Sequence, residues 1–404
     1  MKILFCSQAA HTGGGVEAWL ETLSTELAGH GWDVVTGLAK GRFHDPARYA
    51  ARHRVIAPVP IDGASGFRED RILALVRLFE EVKPDVILPV NLADAIAAAA
   101  YWKSRGADTR LAICLHGQGD DRIAQAREYA PFADLAASVS RRVADRLVPI
   151  TGEPSRVFHI PTGVPPPIGR PAPREQLRNI AHVGRLDSDK RIRDAIPLIH
   201  ALSSSGVIFH FVGGGPDEPY LREALAGQRV VFHGDVARND LYASIYPNID
   251  AIAVFSEEES GPIVAWEAMI HGVVPVVSDY VGRREENVIR HGETGLVFPV
   301  GEMQQAADTI HSVTAPGSLR DLSIRARSEL PEKYTERAFG RSWDEALRAT
   351  VGLRQRRGAL TDLPSLVSPG FLARLGLGVR ATSSLRHLLG RRFAHRDPGS
   401  EWPH

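Results

Sequence analysis

Cysteine is scarce in this 404-residue chain: there are two, Cys6 and Cys114. Each sits inside an apolar run, KILFCS and RLAICLH, which predicts buried thiols. Two such residues build neither a disulfide framework nor a zinc-ligand spacing, and this favours a reducing compartment. Net charge is also missing, because 48 Lys and Arg balance 48 Asp and Glu. The bulk electrostatic footprint of a nucleic-acid binder is therefore absent. No apolar stretch approaches the roughly 20 residues of a membrane span. The opening MKILFCSQAAHTGGG carries one Lys and too short an apolar run for a signal peptide. The expectation is a soluble cytoplasmic protein with no nucleic-acid partner. What is present is an ordinary globular balance, 44% hydrophobic and 24% charged, in a chain long enough for two or three domains.

Short apolar runs alternate with helical patterns. KILFC (2–6), DVVTGLAK (33–40), DVILPV (85–90), LAICLH (111–116) and RVFHIP (156–161) read as strands. Helices are predicted over 16–31, 71–82 and 92–105 between them. Continuous apolar strands of this kind belong to parallel sheets covered on both faces. GVPPPIGRPAPREQ (163–176) then breaks the pattern with prolines at 165–167, 171 and 173, and reads as a stiff linker. The alternation resumes with NIAHVGRL, VIFHFVG, RVVFHG, DAIAVFS, VVPVVS and GLVFP. The expected fold is α/β: two doubly wound, Rossmann-like parallel-sheet domains with a cleft between their strand ends. The boundaries are 1–165 for the first domain, 166–178 for the linker and 179–335 for the second. A helix at 336–352 is expected to pack back toward the first domain. Residues 353–404 carry nine Arg against Asp362, Asp397 and Glu401, interleaved with Phe371, Leu375, Leu388, Leu389 and Phe393. Two readings of this tail stand side by side: a poorly ordered basic extension, or an amphipathic segment for a membrane surface or a partner.

Three stretches carry chemistry. SQAAHTGGGVEAW joins the first strand to the first helix, and the amides near Gly14 and Gly15 offer a seat for phosphate at a helix N-terminus. Gly13, Gly15 and Ala18 also fit the dinucleotide pattern G-x-G-x-x-A, but no acidic residue ends the second strand as that pattern requires. HVGRLDSDKR sets Arg185 after Gly184 at a strand end and Lys190 five residues on, two cations able to straddle a diphosphate. Asp187 and Asp189 between them mimic a metal-binding D-x-D, yet beside two cations they read better as capping and first-turn charges. No metal site and no cofactor is expected. In SEEESGPIVAWEAMIHGVVPVVSD, a loop at the end of a buried strand leads into a helix. Pro262 suits its first turn, and the amides of Ile263 and Val264 point outward. Glu259 precedes that helix and Glu267 lies on it, and a carboxylate suits vicinal sugar hydroxyls. The choice of Glu259 over Glu257 and Glu258 rests on spacing alone.

Taken in order over about 1–350, these stretches resemble the retaining glycosyltransferases of family four, with their two-domain GT-B fold, which implies an acceptor side in the first domain and a donor-nucleotide side in the second. GGGVEAW resembles that family's glycine loop, and His116-Gly117 in LHGQG its active-site histidine. IPTGV (160–164), VGRLDSDKR, GGGP (213–216), HGDV (233–236, ending at Val236) and ESGPIVAWE fall where the family has counterparts. The last resembles its E-x7-E motif. The resemblance implies that Glu259 and His116 contact the transferred sugar and that Glu267 binds the ribose. It implies that Arg185 and Lys190 hold the diphosphate in place of a metal. Gly14, Gly15, Gly184, Val236, Gly261, Ile263 and Val264 would line the donor. Thr162, Pro165, Ser260-Gly261-Pro262 and Asn287 depart from the family pattern and bear on which donor fits.

The implied reaction moves a sugar from a nucleoside diphosphate donor to a hydroxyl of a glycan, lipid-linked or small-molecule acceptor, with retention of configuration. Two alternatives stand: a sugar-nucleotide epimerase on the same scaffold, which would convert donor without acceptor, and a silent sugar-nucleotide-binding or scaffold subunit, which would bind without turnover.

Overall fold

The structure is a computed structural model describing residues 1–9, 14–167, 171–360, 371–397 and 401–402. Gly13 of the glycine loop, 168–170 of the proline stretch and 361–370 of the tail lie outside the described residues. The chain divides into two compact units. The first comprises 1–139, 143–160 and 339–404; the second comprises 140–142 and 161–338.

The first unit holds a seven-stranded parallel sheet in the order β3-β2-β1-β4-β5-β6-β7. Its strands are β1 (Lys2–Ser7), β2 (Asp33–Lys40), β3 (Pro58–Asp62), β4 (Val86–Val90), β5 (Arg110–Leu115), β6 (Ala133–Ser138) and β7 (Val157–His159). Alternation along β1 sends Leu4 and Cys6 to one apolar cluster and Ile3 and Phe5 to the other. That is why KILFC is apolar at every position: both faces of the sheet are covered. Cys6 and Cys114 are buried free thiols, as expected. The helix Glu336–Gly352 contributes Phe339, Trp343 and Leu347 to the cluster holding Ile3 and Phe5. In the tail, Phe371–Arg374 and Val379–Leu388 are helical, and Trp402 is buried in the cluster on the other face.

The second unit holds six parallel strands in the order β10-β9-β8-β11-β12-β13. These are β8 (Asn179–Val183), β9 (Ile208–Val212), β10 (Val230–Gly234), β11 (Ala251–Val254), β12 (Val274–Ser278) and β13 (Leu296–Phe298). Ala251 and Ala253 face one core cluster, Ile252 and Val254 the other. Strand order reverses between β1 and β4 in the first sheet and between β8 and β11 in the second. Ligands of such sheets bind outside the carboxyl ends of the strands at these reversals. The two units are the doubly wound α/β pair expected from the sequence. Two strands, β3 and β6, went unforeseen.

Candidate functional site

The reversal in the second sheet brings together the two loops that the sequence marked. The loop after β8 starts at Gly184, whose φ is +143°. Its backbone lies against the loop after β9: Gly184 N–H donates to the Val212 carbonyl and Leu186 N–H to the Gly214 carbonyl, both at 2.9 Å. A Cβ on Gly213 would collide with the Gly184 carbonyl, and one on Gly215 with that of Leu186. The glycines of GGGP are thus spacing elements, since only glycine lets the two loops come this close.

Beyond Leu186 the chain tightens into the short turn Ser188–Lys190, capped by the Asp187 carboxylate, which accepts from Lys190 N–H at 3.2 Å. Asp187 therefore caps, as its position suggested. Arg185 pairs with Asp187 and, at 3.3 Å, with Asp189, and its side chain is half exposed. Among the described residues no group of three His, Cys, Asp or Glu side chains is arranged to hold a metal.

Lys190 turns the other way. Its Nζ donates to Glu259 Oε1 at 2.7 Å, and Ser256 Oγ donates to the same oxygen at 2.6 Å. Of the three consecutive glutamates, Glu259 is the one brought to Lys190; Glu257 lies 3.8 Å from Arg191. Buried His182 underlies this corner, its Nε2 3.4 Å from the Arg185 carbonyl. Burial pushes its pKa down to about 4, against the upward pull of the Ala253 and Arg185 carbonyls, so the ring is neutral near pH 7.

Gly261, at φ +86°, turns the loop into the helix Ile263–Ile270. Pro262 is the residue before the helix, one position earlier than the sequence suggested. The half-buried Ile263 and Val264 open the helix, where amides have no intrahelical acceptor. Glu267 is only 4% exposed. Its Oε1 accepts from Tyr242 OH at 2.5 Å and from Arg238 Nε and Nη2 at 3.3 and 3.2 Å. Its Oε2 accepts from Tyr246 OH at 3.2 Å. Burial, followed by the Glu267 charge, raises both tyrosines well above their ordinary range, so both stay protonated donors. Val236, near Arg238, packs against the same apolar cluster. The sequence reading missed Ser256, Arg238, Tyr242 and Tyr246. The i, i+4 spacing of the two tyrosines in NDLYASIY was the available signal.

The remaining candidates belong to the first unit. Gly14 caps the helix Gly15–Gly29, and both glycines are exposed. The Glu17 carboxylate bonds to the Gly14 and Glu17 backbone there, so the expected phosphate seat is next to an acidic side chain. His116 stands edge-on to Trp19, ring centroids 4.6 Å apart, and its Nε2 has no partner among the described residues. Burial first, then Arg122, holds its pKa near 3. It is a neutral ring with one nitrogen to offer.

Residues 178–315 match a family model described as glycosyl transferases group 1, and residues 13–166 match one described as glycosyltransferase family 4. The N-acetyl-alpha-D-glucosaminyl L-malate synthase of Bacillus anthracis is 28% identical over 166 residues, 40% of this chain and 42% of that protein. The chain thus spans less than half the length of that relative. The lipopolysaccharide 1,6-galactosyltransferase of Escherichia coli K12 is 21% identical over 368 residues, 84% of this chain and 96% of that protein. The crystal structure of HepE from Anabaena, in complex with UDP and glucose, superposes with a TM-score of 0.72 at 20% identity. It covers 86% of this chain and 100% of that one. At such identity the likeness establishes the fold, and the fold is the expected GT-B class.

Proposed function

We propose, starting from a chain that belongs to the glycosyltransferases, transfer of a hexose-type sugar from a nucleoside diphosphate donor to an acceptor hydroxyl, with retention and without a metal. One observation supports it above the rest: Lys190 and Glu259, 69 residues apart in sequence, meet at 2.7 Å at the reversal of the second sheet. A cation and a carboxylate held there match the two charges of the transition state. The anomeric carbon becomes positive, and Glu259 faces it. The departing phosphate becomes negative, and Lys190 swings from Glu259 to meet it, with Arg185 alongside. Fixed charges aimed where charge develops are a large share of enzymatic rate enhancement. The two cations take the role that a metal fills elsewhere.

Glu267 takes the ribose. Among the described residues its Oε2 accepts from one donor, Tyr246 OH, which leaves an acceptor position for a hydroxyl, while Arg238, Tyr242 and Tyr246 fix its orientation. Gly184, Val236, Gly261, Ile263 and Val264 line the donor, and the family resemblance assigns Gly14 and Gly15 to donor binding and His116 to the transferred sugar. Binding tests this directly. The purified chain is melted with UDP-, GDP-, ADP- and TDP-sugars, the best stabiliser is offered acceptors, and product configuration is read by NMR. One base should stabilise clearly above the others and the product should keep the donor configuration. An inverted product, or donor epimerised without any acceptor, overturns the assignment.

A further inference from the structure

The carboxyl edge of the first sheet is occupied by the chain itself. Phe393 N–H donates to the Ser65 carbonyl at 2.8 Å, and His395 Nε2 lies 3.0 Å from the Gly66 carbonyl oxygen. Trp402 Nε1 donates to the Lys40 carbonyl at 3.3 Å, and the Trp402 carbonyl accepts from Gln8 Nε2 at 3.4 Å. Gln8 also donates to the Asn91 carbonyl at 2.6 Å, linking the ends of β1 and β4, where strand order reverses. The segment thus touches the loops after β1, β2 and β3, which is ligand territory in such a sheet. It also lies outside both stretches that match the family models.

Within this contact Glu401 is held in an unusual way. Its carboxylate accepts from the backbone N–H groups of Arg42 and of Phe43 (2.7 Å), and His44 Nδ1 lies 2.9 Å from it. The side chains of His44 and Glu401 are 1% and 5% exposed. A Cβ on Gly41 would collide with the Glu401 carboxylate, so the loop is shaped for an anion approaching its backbone. Burial alone would raise the Glu401 carboxyl, but His44 and the two amides outweigh it and hold it below its ordinary value. Successive amides closing on one anion form the concavity that proteins use for phosphates and carboxylates.

We infer that the loop Gly41–His44 is a recognition site for an acidic group, phosphate or carboxylate, on the acceptor, and that Glu401 is its internal occupant, displaced when the acceptor binds. This rests on the first unit being the acceptor side. A phosphate monoester offers the same hydrogen-bond acceptors as Glu401 with more charge.

The test uses the full chain as wild type, Glu401→Ala, Glu401→Gln and Glu401→Ala/His44→Ala. Each is melted in inorganic phosphate or malonate at matched ionic strength. The quantity read is the shift of a variant relative to wild type, which cancels any anion binding in the second unit. With the cradle vacated, the midpoint of Glu401→Ala should rise by about 2–4 °C, the response of a domain this size to modest ligand stabilisation. The double variant should not respond. A stronger response to phosphate assigns a phosphorylated acceptor, and a stronger response to malonate a carboxylate. Where Glu401→Ala does not fold, Glu401→Gln carries the test: its neutral amide is a weaker occupant than the carboxylate, so phosphate or malonate should displace it and raise its midpoint relative to wild type. A folded variant indifferent to both probes, or one that responds as well without His44, overturns the inference. Neither probe is a sugar nucleotide, so the result is independent of the donor-side roles of Lys190 and Glu259.

Discussion

Replacing Lys190 with alanine separates a structural role from a chemical one. In the free protein its ammonium holds Glu259 at 2.7 Å, with the two side chains 31% and 11% exposed. Ion pairs near the surface contribute up to about 1 kcal/mol. The Ser256 hydroxyl stays on Glu259 after the change, so stability should fall by about 1 kcal/mol, or about 2–4 °C in melting midpoint. The loss in rate should be larger. A donor aimed at developing charge is worth about 2.7–4 kcal/mol, or about 10²–10³ in kcat. Initial rates of donor consumption, with and without acceptor, measure the second quantity, and thermal melts measure the first. Glu259→Gln should lower turnover comparably, and the double variant should lose less than the sum because the pair acts together. Near-normal turnover in folded Lys190→Ala and Glu259→Ala would refute the assigned roles. A rate loss no larger than the stability loss would reduce Lys190 to a fastener.

Two further outcomes are expected. Glu267→Gln should weaken donor affinity by about tenfold, the equivalent of about 1.4 kcal/mol. Tyr242→Phe should do so by less, and titration calorimetry with the preferred donor reads both; equal affinity in all three proteins removes Glu267 from the donor site. The second concerns acid. His182 is buried with its pKa lowered from 6.5 to about 4, so folding favours its neutral form. Its contribution is complete above pH 6.5 and is lost as the pH falls toward 4, at up to about 1.4 kcal/mol per pH unit. Urea denaturation of wild type and His182→Gln across that range should give a shallower slope in the variant, and equal slopes would exclude His182 as the source.

Much of the scaffold was readable from residue order because buried parallel strands must be apolar at every position, as KILFC and DVILPV are. The two unforeseen strands broke that rule for physical reasons. PVPID forms β3 at the sheet edge, pairing with β2 alone. Its prolines fall at alternate positions, and Thr36 N–H bonds the Ala57 carbonyl, so the missing N–H groups fall on the side away from β2. ADLAAS contains Asp134, a residue poor in strand propensity, which survives at full burial because Lys103 and the Leu111 and Arg356 amides satisfy it. For the candidate site, residue spacing nominated Arg185, Lys190, Glu259 and Glu267. It could not pair them. Arg185 is held by its own neighbours and Lys190 by a loop 69 residues away, a tertiary fact with no local signature. Asn287 has a local reason instead: its φ of +49° suits asparagine at the end of a short helix.

The close approach of Gly213 and Gly215 to the loop after β8 reaches beyond packing. Neither glycine offers a side chain to any substrate, yet a single added methyl at either would press on the carbonyls from which the Arg185–Lys190 turn hangs. The reach of the two cations is therefore tuned by empty space in a neighbouring loop. In the proposed reaction, the choice of donor is then confined as much by what that neighbour must leave out as by what the cations themselves present.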